Sequence, residues 1–176
     1  RQLNRSDFML TESEAKFRII FELSPVGVAM ADPTGVFINC NDSFCEFLGY
    51  RKDEIIGKTV QSVTHPDDIS ETAEMMKQTA NSARNYFHLI KRYLRKDGSP
   101  VWGDSSIRIK TGPDGNVEFH LAIVQDISER KRYEELFKEK ELMFELFLEH
   151  SPIYVFFKDS EIRSFYLSRN YEKMIG

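Results

Sequence analysis

Two cysteines, four histidines, one strand lysine and two strand carboxylates are the residues whose types could do chemistry here. Cys40 and Cys45 are too few for a disulfide framework and lack the paired spacing that holds zinc, so they read as small buried side chains. A haem iron needs an axial ligand, often His. Of His65, His88, His120 and His150, the first belongs to a helix start, and His88 and His120 fall on strands and are expected to face outward. Met75 and Met76 stand at core-filler spacing. Asp104 and Glu118 would suit acid–base work only if buried with a raised pKa, and both sit in turn-flanked strands that read as solvated. There is no phosphate loop, zinc spacing or Ser-His-Asp context. Lys91 alternates with Phe87, Leu89 and Tyr93 along one strand. Pointing inward it would suit an acidic ligand; lying near a strand end it snorkels to water, and that reading is preferred.

The bulk properties narrow the field. The chain has 176 residues, 41% hydrophobic and 30% charged, with a net charge of −4. A real core is expected. A mildly acidic chain without a long basic cluster has no field to gather nucleic acid. No apolar run approaches the ~20 residues of a membrane span, and no signal peptide opens the chain. A reducing cytoplasm is the expected setting, and with a start at Arg1 and no Met the chain is expected to be a piece of something longer.

The elements that would position these residues follow from spacing. Thr11 and Glu14 form a capping-box pair ahead of Phe17, Ile20 and Phe21, with Pro25 ending that helix. Val26–Met30 and Gly35–Cys40 read as strands joined by Asp32-Pro33-Thr34-Gly35, a type I turn sequence. Asn41 or Asp42 caps a short helix carrying Phe44, Phe47 and Leu48, stopped by Gly49. His65-Pro66-Asp67-Asp68 opens a helix to about Ala80, with Ile69, Ala73 and Met76 inward. Tyr86–Arg95, Val101–Lys110 and Val117–Gln125 form a meander around Asp97-Gly98 and Gly112–Asn116. Two strands, short helices and a three-strand meander make an α+β domain. Apolar residues on both faces of the Tyr86–Arg95 strand predict a sheet covered on both sides, by the helices at 41–80 on one and by the N-terminal helix or a second copy of the chain on the other.

The last strand runs into a helix without Gly or Pro. Asp126 and Glu129 have the spacing of an N-cap and its reciprocal acid around Ile127 and Ser128. Residues 128–149 are rich in helix formers, and Tyr133, Leu136, Phe137, Met143, Phe144 and Phe147 fall at seam-like spacing, with Lys140 poorly placed. The tail then repeats the beginning. Phe144 through Gly176 lies over Phe17 through Gly49 at one constant offset without a gap, with seven identical positions. This predicts the first third of a second unit, expected to pack on a neighbouring chain or on the back of the first unit.

These pieces in this order resemble the PAS sensor domain. The resemblance rests on Phe21-Glu22-Leu23-Ser24-Pro25, Asn39-Cys40-Asn41-Asp42-Ser43-Phe44, Leu48-Gly49-Tyr50, Ile55-Ile56-Gly57-Lys58, His65-Pro66-Asp67-Asp68, Arg95-Lys96-Asp97-Gly98, Trp102 and Asp126-Ile127-Ser128-Glu129-Arg130-Lys131. It implies a five-stranded antiparallel sheet with helices on one face. The implied divisions are a helical lead-in (1–23), the PAS core (24–127), a signalling helix (128–149) and a fragment of a second repeat (150–176). It also implies a small-molecule pocket, for which Met30, Phe44, Phe47, Met76, Phe87, Leu89, Lys91, Tyr93 and Ile107 are candidates. The signal joint would be Asp126–Glu129, where Ser128 replaces the family's Thr and keeps a hydroxyl. The expected partner is a second copy paired through the seam, and the expected setting a bacterial histidine kinase, cyclic-dinucleotide enzyme or transcription factor. Light-sensing relatives carry an Asn-Cys-Arg motif that Gly57–Gln61 lacks, and no His lies in mid-helix 66–80, so flavin and haem are both disfavoured and the cofactor stays open. A dimerisation module with a filled core, or a small-molecule enzyme of similar shape, are the other readings.

Overall fold

A computed structural model describes residues 5–80, 85–150 and 155–167. The chain divides into two compact units, residues 1–128 and 129–176.

The first unit opens with helix α1 (Arg5–Glu22), which begins well before Thr11, so the capping-box residues lie inside it. Of its apolar positions Phe21 is buried, whereas Phe17, Ile19 and Ile20 are exposed. Strands β1 (Gly27–Ala31) and β2 (Phe37–Cys40) pair antiparallel around the Asp32–Gly35 turn, where Gly35 adopts φ +86° and its N–H meets the Asp32 carbonyl. Asn41 caps α2 (Asp42–Leu48) and Gly49 closes it in the left-handed region. The short α3 (Lys52–Ile55) and two 3₁₀ turns, Gln61–Val63 and Pro66–Asp68, lead into α4 (Ile69–Ala80). Strands β3 (Tyr86–Leu94), β4 (Pro100–Thr111) and β5 (Val117–Asp126) complete a sheet in the order β2-β1-β5-β4-β3. The expected α+β architecture is the one found.

The core lies between the inner sheet face and α2, α3 and the 3₁₀ turns, around Phe44, Leu48, Ile55, Val63, Val101 and Val124. Two expectations are corrected. The buried positions of α4 are Thr72 and Thr79; Met76 faces the sheet cavity as expected, whereas Ala73 is exposed. Each threonine hydroxyl donates to the carbonyl four residues back, so these polar residues can sit inward. The described residues of the first unit do not cover the outer sheet face: β3 alternates cleanly, and Tyr86, Ile90 and Ile123 are exposed there, so the N-terminal helix is not the cover. Their apolar character gave no sign of side, because the inward set includes Lys91 and the outward set includes Ile90.

Helix α5 (Ser128–His150) begins at the end of β5. In the second unit β6 (Phe156–Lys158) and β7 (Ser164–Leu167) form a hairpin. Its register reproduces that of β1–β2 residue for residue, including the shift between Phe157 and Lys158 that matches the one between Met30 and Ala31. Asp159 accepts from the turn N–H groups of Glu161 and Arg163 as Asp32 does from those of Thr34 and Val36. Ile162 stands where Gly35 stands, with φ +65°. The ring of Phe157 packs on Phe144 of α5, so this hairpin has a partner within its own unit. The residues aligned beyond Leu167, and those at 151–154, lie outside the described residues.

Candidate functional site: a sheet cavity with a buried lysine

The inner face of the sheet is hollowed where β1 and β5 carry small residues. Ala29, Ala31 and Ala122 face Phe87, Leu89 and Ile107 beneath Phe37, Phe44, Val60, Thr72 and Met76, leaving a cavity of about 40 Å³. The candidates Phe44, Met76, Phe87, Leu89, Lys91, Tyr93 and Ile107 all line it. Phe47 is buried one layer behind, its ring 5.3 Å from that of Tyr93 and 6.4 Å from that of Phe44. Met30 is a correction. It alternates with the inward Ala29 and Ala31, pairs with Leu121, and so belongs to the outer face.

Lys91 is the second correction. It does not snorkel; it is 3% exposed, on the inner face with Phe87, Leu89 and Tyr93. The strand runs on to Leu94, paired with Pro100, so Lys91 is too far from its end to reach water. Its Nζ donates to Thr64 Oγ1 at 2.9 Å and stands 4.5 Å from the centre of the Tyr93 ring. Thr64 Oγ1 itself donates to the Val60 carbonyl, so its proton is committed and it can only accept from Lys91. Burial pushes Lys91 down to about 7, with Asp68 acting weakly the other way. Asp68 is engaged elsewhere, taking the Arg92 backbone N–H and two guanidinium bonds. Tyr93, pushed up to about 12 by burial, shares a hydrogen bond with Ser105.

His120 is a third correction: it is 7% exposed and lines the cavity. Its Nδ1 lies 3.0 Å from the Asp32 carbonyl, which can only accept, so the proton sits on Nδ1. Period-two alternation with Ala122 and Val124 was the signal that could have found it. Nothing in the sequence marked Thr64 as the partner of a lysine 27 residues on. His88, in contrast, is exposed and pairs with Asp104 at 2.5 Å, which removes Asp104 as a buried acid. The sulfurs of Cys40 and Cys45 stand 3.6 Å apart in the core. Burial pushes Cys40 up to about 12 and raises Cys45, so both are protonated thiols of low reactivity.

At the end of β5 the joint is built differently from the reciprocal cap expected. Asp126 is still paired with Gly103 in the sheet, and its Oδ1 accepts from the Ser128 N–H at 2.8 Å. The Ile127 N–H donates to the Trp102 carbonyl, and Ser128 Oγ accepts from the Trp102 N–H at 2.9 Å. A side-chain hydroxyl thus extends the β4–β5 ladder one rung into the first residue of α5. Ile127 is buried, and the Arg92 guanidinium lies over the Trp102 ring. Glu129 lies in the first turn of α5. Further along that helix Tyr133, Leu136, Phe137, Met143, Phe144 and Phe147 are all exposed, while the unpredicted Leu148 is buried.

A family model described as a PAS domain matches residues 25–129. The chain belongs to the PAS domain family. It is 31% identical over 127 residues to the probable diguanylate cyclase DgcE of Escherichia coli (strain K12), a match covering 72% of this chain and 12% of that protein. It is 25% identical over 134 residues to the sensor histidine kinase TmoS of Ectopseudomonas mendocina, covering 76% and 14%. The PAS domain of a protein from Colwellia psychrerythraea has the same fold, with a TM-score of 0.61 at 22% identity over 68% of this chain and 98% of that one. The chain therefore spans a small part of the curated relatives it matches, and the PAS match within it ends at residue 129. No helix among the described residues is long and apolar enough to cross a membrane.

Proposed function

We propose that this PAS domain is the input module of a larger signalling protein, in which the state of the sheet cavity biases the β5–α5 joint and α5 carries the change to an output enzyme. The observation that carries this reading is the Ser128–Trp102 hydrogen bond, which makes the first residue of α5 part of the sheet's ladder. Arg92 follows the cavity residue Lys91 directly, stacks on Trp102 and grips Asp68 beside α4. A shift of β3 against α4 thus has a contiguous route to the joint. The output reads as a histidine kinase or cyclic-dinucleotide enzyme by analogy with the relatives, and the cytoplasm is the setting that suits it. The hairpin register supports reading the second unit as the opening of a second sensory repeat.

The test is Ser128→Ala in the full-length protein. It leaves the part-buried Trp102 N–H without its acceptor, a loss of about 1–3 kcal/mol at the joint. Output activity is expected to move severalfold, and Ser128→Thr, which keeps the hydroxyl, to restore it. Wild-type output from the Ala variant in every ligand state would remove the relay.

Pairing with a second copy accounts for the exposed apolar residues of α1 and α5, which would otherwise face water. Leu136→Glu with Phe137→Glu is expected to convert a dimer into a monomer by sedimentation velocity, with sheet circular dichroism unchanged. A wild-type chain that already sediments as a monomer at tens of micromolar would refute the pairing. A second reading, dimerisation around a filled core, is favoured by the small size of the cavity.

A further inference from the structure

The cavity contains one lysine amine whose charge, when protonated, its own walls do not neutralise. An ammonium has three N–H donors. Among the described residues Lys91 Nζ has one hydrogen-bond partner, the neutral Thr64 hydroxyl, and the face of Tyr93 offers a second, weaker seat. Burying a charge in this way is costly without an opposite charge and hydrogen bonds. The neighbouring carboxylate that acts on Lys91, Asp68, is held by Arg92. The other titratable groups lining the cavity are Tyr93, whose hydroxyl is bound to Ser105, and His120, whose Nδ1 is bound to the Asp32 carbonyl. Neither supplies a negative charge.

Building on the sensory reading above, we propose that the cavity is a binding site for a short-chain monocarboxylate, its carboxylate on Lys91 Nζ and its hydrocarbon end against the apolar wall. Charge sets the class. One cation with an open donor selects one carboxylate, and the remaining wall, mainly apolar around Leu89, Phe87 and Ala122 and without a second cation, rejects another. Size sets the chain length. A cavity of about 40 Å³ has room for roughly three waters at ~10–15 Å³ each, which corresponds to an acid of about three or four non-hydrogen atoms, with one more carbon, as in propionate, taken up by movement of the wall. Met76, unbranched and half-buried on α4, is the wall best able to give way for a longer tail.

The test is calorimetric titration of the whole 176-residue chain with sodium propionate and, in parallel, with propionamide, the neutral compound of nearly the same shape. Wild-type protein is expected to bind one propionate saturably, and propionamide at least tenfold more weakly. Lys91→Met, which keeps the length of the side chain and removes the charge, is expected to lose propionate binding at least tenfold while keeping the wild-type circular dichroism spectrum. Carbon-13 NMR of the lysine side chains adds a readout of the group itself: the Lys91 ε-carbon is expected to keep its ammonium shift to higher pH with propionate bound. Equal binding of acid and amide would overturn the charge assignment while leaving a cavity that senses neutral molecules. Propionate binding that survives in Lys91→Met would overturn the site. Absence of saturable propionate binding in the wild type would overturn the proposal outright, and the relay through Ser128 would still stand or fall on its own experiment.

Discussion

Lys91→Met makes the first unit more stable, by about 3–5 kcal/mol at pH 6 and by about 2–3 kcal/mol less than that at pH 9. In the unfolded chain a lysine titrates near 10.4; in the fold, burial pushes Lys91 down to about 7. Below pH 7 both states hold the proton, and the folded state carries the whole cost of an ammonium among apolar walls. Between pH 7 and the unfolded value the unfolded chain binds a proton that the folded chain lacks. Unfolding then takes up a proton, so stability rises with pH, at most by about 1.4 kcal/mol per unit. Cys40 and Tyr93, each pushed up to about 12 by burial, hold protons in the fold that the unfolded chain releases, so they turn the slope downward above their unfolded values. An unfolded cysteine ionises at about 8.5, so the window in which Lys91 acts ahead of these groups is pH 7 to about 8. Urea midpoints read from Trp102, the sole tryptophan, at half-unit steps across that window check the sign. The wild-type curve is expected to climb and the Met curve to stay flat. Parallel curves would mean that Lys91 keeps an ordinary pKa and that the cavity is wetter than its walls suggest.

Such a lysine is stable ground for function and poor ground for folding. A methionine would fill the same space at no electrostatic cost, so the charge is not explained by packing. Its contacts also join parts of the chain far apart in sequence: Thr64 lies ahead of α4, whereas Lys91 and Tyr93 lie on β3. Through Arg92 the same strand reaches Trp102 and the first residue of α5. Lys91 is thus one residue away from Arg92, which lies over the ring of the tryptophan that Ile127 and Ser128 bond.

The elements were legible because each is punctuated locally. Asn41 and Gly49 bracket α2, Asp97-Gly98 turns β3 into β4, and the uninterrupted run from Val124 to Ser128 is a strand entering a helix. Which way a side chain faces was legible only where polar and apolar residues alternate. Residues 26–31 are apolar throughout, so Met30 could be assigned to either face, and only pairing with Leu121 and Asn39 sets it outward. On β3 the alternation was present but inverted by chemistry, with a lysine inside and an isoleucine outside. The joint was legible in position and not in bonding. The spacing of Asp126 and Glu129 suggested a cap closed on itself, whereas the fold closes it on Trp102, 26 residues away, a contact that exists only once the sheet has formed. On α4 the inward Met76 was legible, whereas Thr72 and Thr79 were missed because they satisfy their own hydroxyls and so behave as apolar residues.

Asn41→Ala is expected to cost about 3–5 kcal/mol, well beyond the ~0.5–2 kcal/mol of an ordinary helix cap. The side chain is fully buried, and all four of its hydrogen-bonding positions are used. Oδ1 accepts from the Phe44 N–H at 3.0 Å, which is the cap, and from the Val28 N–H at 2.8 Å, which lies in β1. Nδ2 donates to the carbonyls of Phe21 and Val26, each at 3.0 Å. One amide therefore ties the last turn of α1 and the start of β1 to the start of α2. Alanine removes all four bonds; the Val26 carbonyl keeps the Ser24 hydroxyl, while the other three backbone groups lose this partner, at roughly 1–3 kcal/mol for each that water cannot reach. The informative contrast is Asn41→Asp. At an exposed helix start Asp caps as well as Asn. Here it keeps both accepted bonds, loses both donors, and sets a carboxylate against two carbonyl oxygens, so at pH 7 it is expected to be as damaging as Ala. Lowering the pH should recover part of the loss, because a protonated carboxyl can donate once. Urea midpoints of the three proteins at pH 7 and pH 5 decide the matter: an Asp variant within about 1 kcal/mol of wild type at pH 7 would show that the amide donors are idle and that Asn41 is only a cap.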